Sequence, residues 1–263
     1  MNRIESSSNA KIKRIQKLMR NARLRRQEKL FVTEGWKMTE EALTRGLVRE
    51  IYLSDDATEE WEKRNLQGKM ASGCPVWMVA PSVFRELSDT VSPQGILALV
   101  EMPQYDRSVL TGADDAALLI LEDVQDPGNL GTMIRTAEGA GMSGVVMSRG
   151  CVDIFNPKVV RSTMGALFRV PFYICDDLAK EVRGLRNEGF TTYAAHLLGT
   201  CDFTEESYKG KTGILIGNEA NGLSDAVSSQ ADRLVKIPME GELESLNAAV
   251  SAALFMYEVH RKR

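Results

Sequence analysis

The sequence predicts an α/β protein built in two parts, a smaller N-terminal α/β sandwich followed by a parallel-sheet domain. Three observations carry that prediction. Short apolar runs alternate with amphipathic helical stretches along almost the whole chain. A polar connector, Pro103-Gln-Tyr-Asp-Arg-Ser-Val-Leu-Thr-Gly-Ala-Asp-Asp115, interrupts the alternation near its middle. The run that follows, Ala116-Ala-Leu-Leu-Ile-Leu121, has the length and unbroken hydrophobicity of a strand covered on both faces, as in a parallel sheet. A chain of 263 residues fits two domains better than one. The divisions expected are residues 1–103, a connector at 104–115 and a second domain at 116–263.

Taken in order, Ser6 to Asn9 can cap a helix over 10–29, whose Ile12, Ile15, Leu18, Met19 and Ala22 recur at three- and four-residue spacing. Strands are expected at 30–33, 49–53, 75–79 and 95–100, with helices at 36–45, 57–67 and 82–87 between them. In the second part, helices at 130–139, 157–168 and 178–188 alternate with strands at 116–121, 144–148, 170–174, 191–195 and 213–216. A short helix follows Leu223, and a last strand spans 234–237. The stretch Ile237-Pro-Met-Glu-Gly-Glu-Leu-Glu-Ser-Leu-Asn-Ala-Ala-Val-Ser-Ala-Ala-Leu-Phe-Met-Tyr257 then leaves a strand, loops, and enters a helix for which Ser245 stands as N-cap. Ala248, Ala249, Ala252 and Ala253 leave so little bulk that another backbone can lie against that helix.

Composition narrows the function classes. Hydrophobic residues make up 43% of the chain, which suffices for a packed core and excludes a disordered protein. No apolar run approaches the roughly 18 residues of a membrane span, and the charged N-terminus has no apolar stretch behind it to act as a secretory signal. Cys74, Cys151, Cys175 and Cys201 are widely spaced, and His196 and His260 are the only histidines, so no metal site is expected. A reduced, cytoplasmic setting follows. Charge is uneven: residues 1–30 hold ten Lys or Arg against two Glu, and the remaining residues hold twenty-three against thirty-four acidic groups. A basic arm on an acidic body suggests a polyanion met at one end. Its candidate phosphate contacts are Lys11, Lys13, Arg14, Lys17, Arg20, Arg23, Arg25 and Arg26. The competing reading is an ordinary solvated helix face.

Two glycine-rich stretches are decoys. Gly139-Ala-Gly-Met-Ser-Gly144 spells a dinucleotide fingerprint, yet it runs from a helix into a strand, the reverse of what phosphate binding at a helix N-terminus needs. Gly217-Asn-Glu-Ala-Asn-Gly-Leu-Ser224 approaches a P-loop, but Leu223 stands where the phosphate-binding Lys must be. Nor do the histidines form a nucleophile–base pair.

Three motifs, in order, carry a stronger signal: Leu121-Glu-Asp-Val-Gln-Asp-Pro-Gly-Asn129-Leu-Gly-Thr-Met-Ile-Arg135-Thr-Ala-Glu, then Ile214-Leu-Ile-Gly217-Asn-Glu219-Ala-Asn-Gly222-Leu-Ser, then the 237–257 stretch. Together they resemble the SpoU (TrmH-like) family of RNA 2′-O-ribose methyltransferases, in the SPOUT superfamily. Phe31-Val-Thr-Glu-Gly35 and Val91-Ser-Pro-Gln-Gly95-Ile-Leu-Ala resemble the family's RNA substrate-binding domain. The resemblance implies a trefoil-knotted methyltransferase domain, a homodimer paired through the knot region, S-adenosylmethionine as donor and ribosomal RNA as substrate. It implies cofactor contacts at Ala195, His196, Gly217, Asn218, Ile237 and Leu246, with Ile237 and Leu246 sandwiching the adenine and Gly217 allowing close backbone approach. It implies site roles for Asn129, Arg135, Glu219, Ser245 and Asn247. Arg135 is always protonated, so binding an RNA phosphate and easing deprotonation of the ribose hydroxyl suits it better than acting as a free base. Read from the residues alone, Arg135 is a solvated charge or a partner for Glu138, Ser245 a helix cap and Glu219 a loop ion pair. Two departures stand out: Ala220 replaces the usual Gly, and Ala248-Ala249 a commoner Val-Ser. A transfer-RNA methyltransferase of the same family and a non-catalytic RNA-binding protein are the alternatives.

Overall fold

The computed structural model describes residues 2–263 and divides them into two compact units. The first comprises the residues up to Pro103 together with Phe155–Phe168, and the second comprises Gln104–Ile154 and Arg169–Arg263.

The first unit contains β1 (Asn2–Ile4), α1 (Ala10–Arg20), α2 (Ala22–Glu28), β2 (Leu30–Glu34), α3 (Trp36–Thr44), β3 (Val48–Ser54), α4 (Thr58–Arg64), β4 (Val76–Val79), α5 (Pro81–Leu87) and β5 (Ile96–Glu101). Its five strands form one mixed sheet in the order β1-β4-β3-β5-β2. The expected helix over 10–29 is two helices. Asn21 closes α1 through its backbone N–H and caps α2 by accepting a hydrogen bond from Leu24 N at 3.0 Å. An Asn side chain that caps the backbone competes with helix continuation, which is the reason for the break. The apolar face of α1 (Ile12, Ile15 and Leu18) is fully buried against Val32, Tyr52, Val79, Val83, Phe84, Leu97 and Leu99. The N-terminal segment is therefore part of the core and not a detachable arm.

Val32 faces α1, so the alternation of a strand turns Phe31 to the other side of the sheet. There it meets Phe155 and Phe168, with ring centroids 4.8 and 6.0 Å away. This packing assigns 155–168 to the first unit, although its position in the sequence pointed to the second domain. The expected helix over 157–168 is shorter, α8 (Pro157–Ser162), because Met164 and Gly165 take positive φ angles of 52° and 96°.

The second unit contains α6 (Arg107–Thr111), β6 (Ala117–Leu121), α7 (Pro127–Gly139), β7 (Gly144–Ser148), β8 (Phe172–Cys175), α9 (Leu178–Asn187), β9 (Thr191–Ala195), β10 (Cys201–Asp202), β11 (Thr212–Ile216), α10 (Asp225–Ser228), β12 (Arg233–Lys236) and α11 (Ala248–Lys262). Its seven strands are all parallel, in the order β10-β12-β9-β11-β6-β7-β8. The two central strands, β6 and β11, are buried at every position, as their unbroken apolar runs require. Leu178, Val182 and Leu185 of α9 cover one side together with Leu110 and Val227. The expected connector is no loose linker: Asp106 caps α6, Leu110 is buried, and Arg107 pairs with Glu181 at 2.5 Å and Glu188 at 2.8 Å.

Helix α11 packs on α7, β11 and β6. Its Ala248, Ala249 and Ala252 are buried with Phe255 and Met256, so the small-residue face serves a contact within the chain. Among the described residues no helix is long and apolar enough to cross a membrane, and no cluster of His, Cys, Asp and Glu is placed to hold a metal.

Candidate active site

In a parallel sheet the loops leaving the carboxyl ends of the strands gather on one edge and build the site. Here the loops after β9, β11 and β12 line a cleft of about 690 Å³. All six residues expected at a cofactor line it: Ala195 and His196 after β9, Gly217 and Asn218 after β11, and Ile237 and Leu246 after β12. Glu219 and Ser245 line it too. The His196 ring accepts a hydrogen bond from Leu198 N at Nδ1, 3.1 Å.

The loop after β11 is rigid by construction. Asn218 and Gly222 exchange backbone hydrogen bonds at 3.0 and 2.9 Å. Asn218 Oδ1 accepts from Ala220 N and Asn221 N at 2.9 and 3.1 Å, and its Nδ2 donates to Asp123 O at 2.8 Å. A Cβ on Gly217 would lie 2.1 Å from Gly222 C, so glycine is required there by the loop's own crossing, not only by an approaching ligand. The departure at Ala220 costs the backbone nothing. Gly222 adopts a positive φ of 68° and Ala220 does not.

A chain of hydrogen bonds joins the three motifs. Asn247 Nδ2 donates to Asn129 Oδ1 at 3.0 Å, and Asn129 Nδ2 donates to Glu219 Oε1 at 3.0 Å. The Glu219 carboxylate also accepts from Gln125 N and Asp126 N, both at 3.0 Å. Partial burial pushes the Glu219 carboxyl up, but these donors outweigh it and hold the group below the usual carboxylate range. Asn247, not Ser245, is the N-cap of α11; its Oδ1 accepts from Ala249 N and Val250 N at 2.9 and 3.3 Å. Ser245 is exposed on the loop before it.

Asn129 stands in the first turn of α7 with its N–H on the capping carboxylate of Asp126 at 2.8 Å. Arg135 lies six residues further along α7, roughly 9 Å along the axis. It is exposed, and its side chain makes no hydrogen bond or ion pair among the described residues. Glu138, its expected structural partner, is bound instead by Arg169. Ser224 clasps Glu122, with N and Oγ donating at 2.8 and 2.6 Å, a contact between residues too far apart in the chain to be seen in the sequence. The Asp-Pro pair that starts α7 was the available signal for Asp126, since Pro favours the first helical position after a capping Asp.

The cleft has apolar walls in Ile216, Ile237, Leu246 and Phe255, and its charged lining is Glu219, Glu244 and Lys236. Its size lies within the range of small-molecule sites, and its two carboxylates against one cation suit a positively charged ligand such as a sulfonium donor.

The eight basic residues proposed for RNA are divided by the fold. Lys11 pairs with Glu50 at 3.2 Å, and Arg14 with Glu28 and Glu50 at 2.7 and 3.2 Å. Arg25 is only 3% exposed and donates to the Leu18 and Met19 carbonyls at the end of α1, at 2.6 and 3.0 Å. It is a buried cap and not a surface phosphate contact, a correction to the expectation. Lys13, Lys17, Arg20, Arg23 and Arg26 are exposed.

Comparison with known proteins agrees with this arrangement. Residues 116–257 match the SpoU rRNA Methylase family, and residues 9–98 match the MRM3-like substrate binding domain. The chain is 34% identical over 260 residues to the 23S rRNA (guanosine(2553)-2′-O)-methyltransferase RlmP of Bacillus subtilis, covering 98% of this chain and 99% of that protein. The structure of an AdoMet-bound rRNA methyltransferase from Sinorhizobium meliloti superimposes with a TM-score of 0.89 at 28% identity, over 99% of this chain and 97% of that one. The SpoU methyltransferase AviRb from Streptomyces viridochromogenes, in complex with AdoMet, gives 0.86 at 29% identity over 97% and 98%. With its motifs joined around one cleft and its matches running nearly end to end, this chain belongs to the SpoU rRNA methylase family.

Proposed function

We propose that the protein transfers a methyl group from S-adenosylmethionine to a ribose 2′-hydroxyl of ribosomal RNA. The observation that carries the reading is the chain Asn247–Asn129–Glu219, which ties all three motifs together beside a cleft lined by the expected cofactor residues. Ribosomal RNA is favoured over transfer RNA because the match to a ribosomal enzyme extends through both units.

Ala195, His196, Gly217, Asn218, Ile237 and Leu246 would hold the cofactor, with the adenine between Ile237 and Leu246. When bound, the sulfonium supplies an activated methyl group for in-line displacement. The chain's own task is to hold the ribose oxygen in line and help it lose a proton. Glu219 fixes Asn129, and Asn129 fixes Asn247, so the rim of the site is held still. Arg135, unpaired and exposed, binds the phosphate of the target nucleotide and stabilises negative charge developing on the ribose oxygen, while the phosphate or an adjacent group takes the proton. Ser245 contributes from the loop before α11.

The first unit, which ends at Pro103 and includes Phe155–Phe168, grips RNA, and the second, Gln104–Ile154 with Arg169–Arg263, carries the transfer; the connector expected at 104–115 belongs to the second. A trefoil knot in the second is supported by β9 lying between β12 and β11 and by α11 packing back on α7. A homodimer paired through the Ala-rich face with Leu254, Phe255 and Met256 is the expectation. The chain itself buries Ala248, Ala249, Ala252, Phe255 and Met256, and a dimer is supported instead by Val250, Leu254 and Tyr257, which leave 49%, 39% and 52% of their surface exposed at spacings that share one face of α11. A cytoplasmic setting fits an enzyme that acts on ribosomal RNA.

The test is a transcriptome-wide map of ribose methylation in cells with and without the protein. One ribosomal position should lose its methyl group and regain it with the wild-type chain. An unchanged map of ribosomal RNA overturns the reading.

A further inference from the structure

We propose that Lys13, Lys17, Arg20 and Arg23 form a single track for the RNA phosphate backbone, and that the track grips without reading sequence. The inference rests on the RNA-methyltransferase reading and names the surface through which the substrate is held. These four side chains line one open groove across α1 and α2 together with Gln16 and Asn21. No acidic residue lines it, and none of the four cations has an ion pair or side-chain hydrogen bond among the described residues. Three other cations of the same helices behave otherwise: Lys11 and Arg14 are held by Glu50 and Glu28, and Arg25 is buried on the Leu18 carbonyl.

Geometry explains the separation. Residues 13, 17 and 20 recur at helical spacing on the face opposite Ile12, Ile15 and Leu18, which the core claims. The break at Asn21 brings Arg23 of the second helix into the same groove. Four like charges held together without counter-ions repel one another, and a polyanion removes that cost. The lining contains no aromatic ring on which an unstacked base could lie, so the groove suits backbone rather than bases.

The experiment uses the full chain carrying Lys13→Gln, Lys17→Gln, Arg20→Gln and Arg23→Gln together. Affinity is measured against salt for a ribosomal RNA fragment bearing the mapped position and for an unrelated RNA of equal length. Four phosphate contacts at ~0.7–0.9 each predict a log–log salt slope shallower by about 3. Affinity for the two RNAs should fall by the same factor, with the thermal midpoint and S-adenosylmethionine binding unchanged. An unchanged slope overturns the track, as does a loss confined to the cognate fragment, which would mean sequence reading. If the slope falls as expected while the wild-type protein methylates no RNA, the track stands and the methyltransferase reading fails.

Discussion

Replacing Glu219 by Gln tests whether the chain of hydrogen bonds governs the site. The carboxylate accepts three donors, Gln125 N, Asp126 N and Asn129 Nδ2, each at 3.0 Å. Gln is nearly isosteric but keeps only one acceptor oxygen, so at least one N–H must face the new amide NH₂. A hydrogen bond to a charged group contributes about 1.5–3 kcal/mol, and solvent exposure at Glu219 reduces this to about 1–2 kcal/mol. For a unit of this size that corresponds to a midpoint lower by roughly 2–8 °C in scanning calorimetry. Turnover should fall by about 10–100-fold, because Asn129 and Asn247 lose their anchor and small displacements at a reacting centre are costly. The carboxyl is held below its ordinary range when folded, so its contribution is present above the unfolded value of about 4.3 and is lost as pH falls through the folded value. The stability gap between wild type and Glu219→Gln should therefore be constant from neutrality down to about pH 5 and close in stronger acid. Asn129→Ala and the double variant complete a cycle with a coupling of about 0.5–3 kcal/mol, since the two share one network. Strict additivity, or a Glu219→Gln enzyme with wild-type turnover, refutes the reasoning.

Arg135→Ala should lower turnover in a labelled-methyl assay by about 10²–10⁴-fold and leave S-adenosylmethionine affinity by calorimetry unchanged. Gly217→Ala places a Cβ 2.1 Å from the Gly222 backbone, so the loop must open and cofactor binding should be lost while the first unit stays folded. Arg25→Ala leaves the end of α1 without a buried charged donor and should destabilise the first unit by about 1.5–3 kcal/mol in urea, unlike the exposed Arg26→Ala, which should cost less than about 0.5 kcal/mol. Leu254→Asp, on the exposed strip of α11, should convert a dimer to monomer in sedimentation without unfolding it.

Much of the catalytic half was legible because its information is local. Unbroken apolar runs mark β6 and β11, and the three motifs sit where strands end, so their residues meet once the sheet forms. What stayed hidden depends on distant partners. Ser245 and Asn247 are both good capping residues two positions apart, and only the backbone path decides that Asn247 takes the role. The helical spacing over 157–168 says which face is apolar but not that Phe31 will receive it. Arg25 looks like its neighbours in sequence, yet the turn at Asn21 directs its guanidinium onto two carbonyls. The connector's polarity conceals its apolar anchors, Leu110 and Tyr105.

The strand order also has a consequence in time. The first unit's sheet has all its strands once Glu101 is made, whereas β11 must seat between β6 and β9, and Asn247 must reach Asn129 across 118 residues. Pairings so far apart in the chain form slowly and late. A ribosome making this protein therefore releases the strands of the first sheet well before α11 can close the cleft of the second unit. Loss of α11, by a premature stop or a protease, would take the buried Phe255 and Met256 out of the second unit and leave the strands of the first sheet in place.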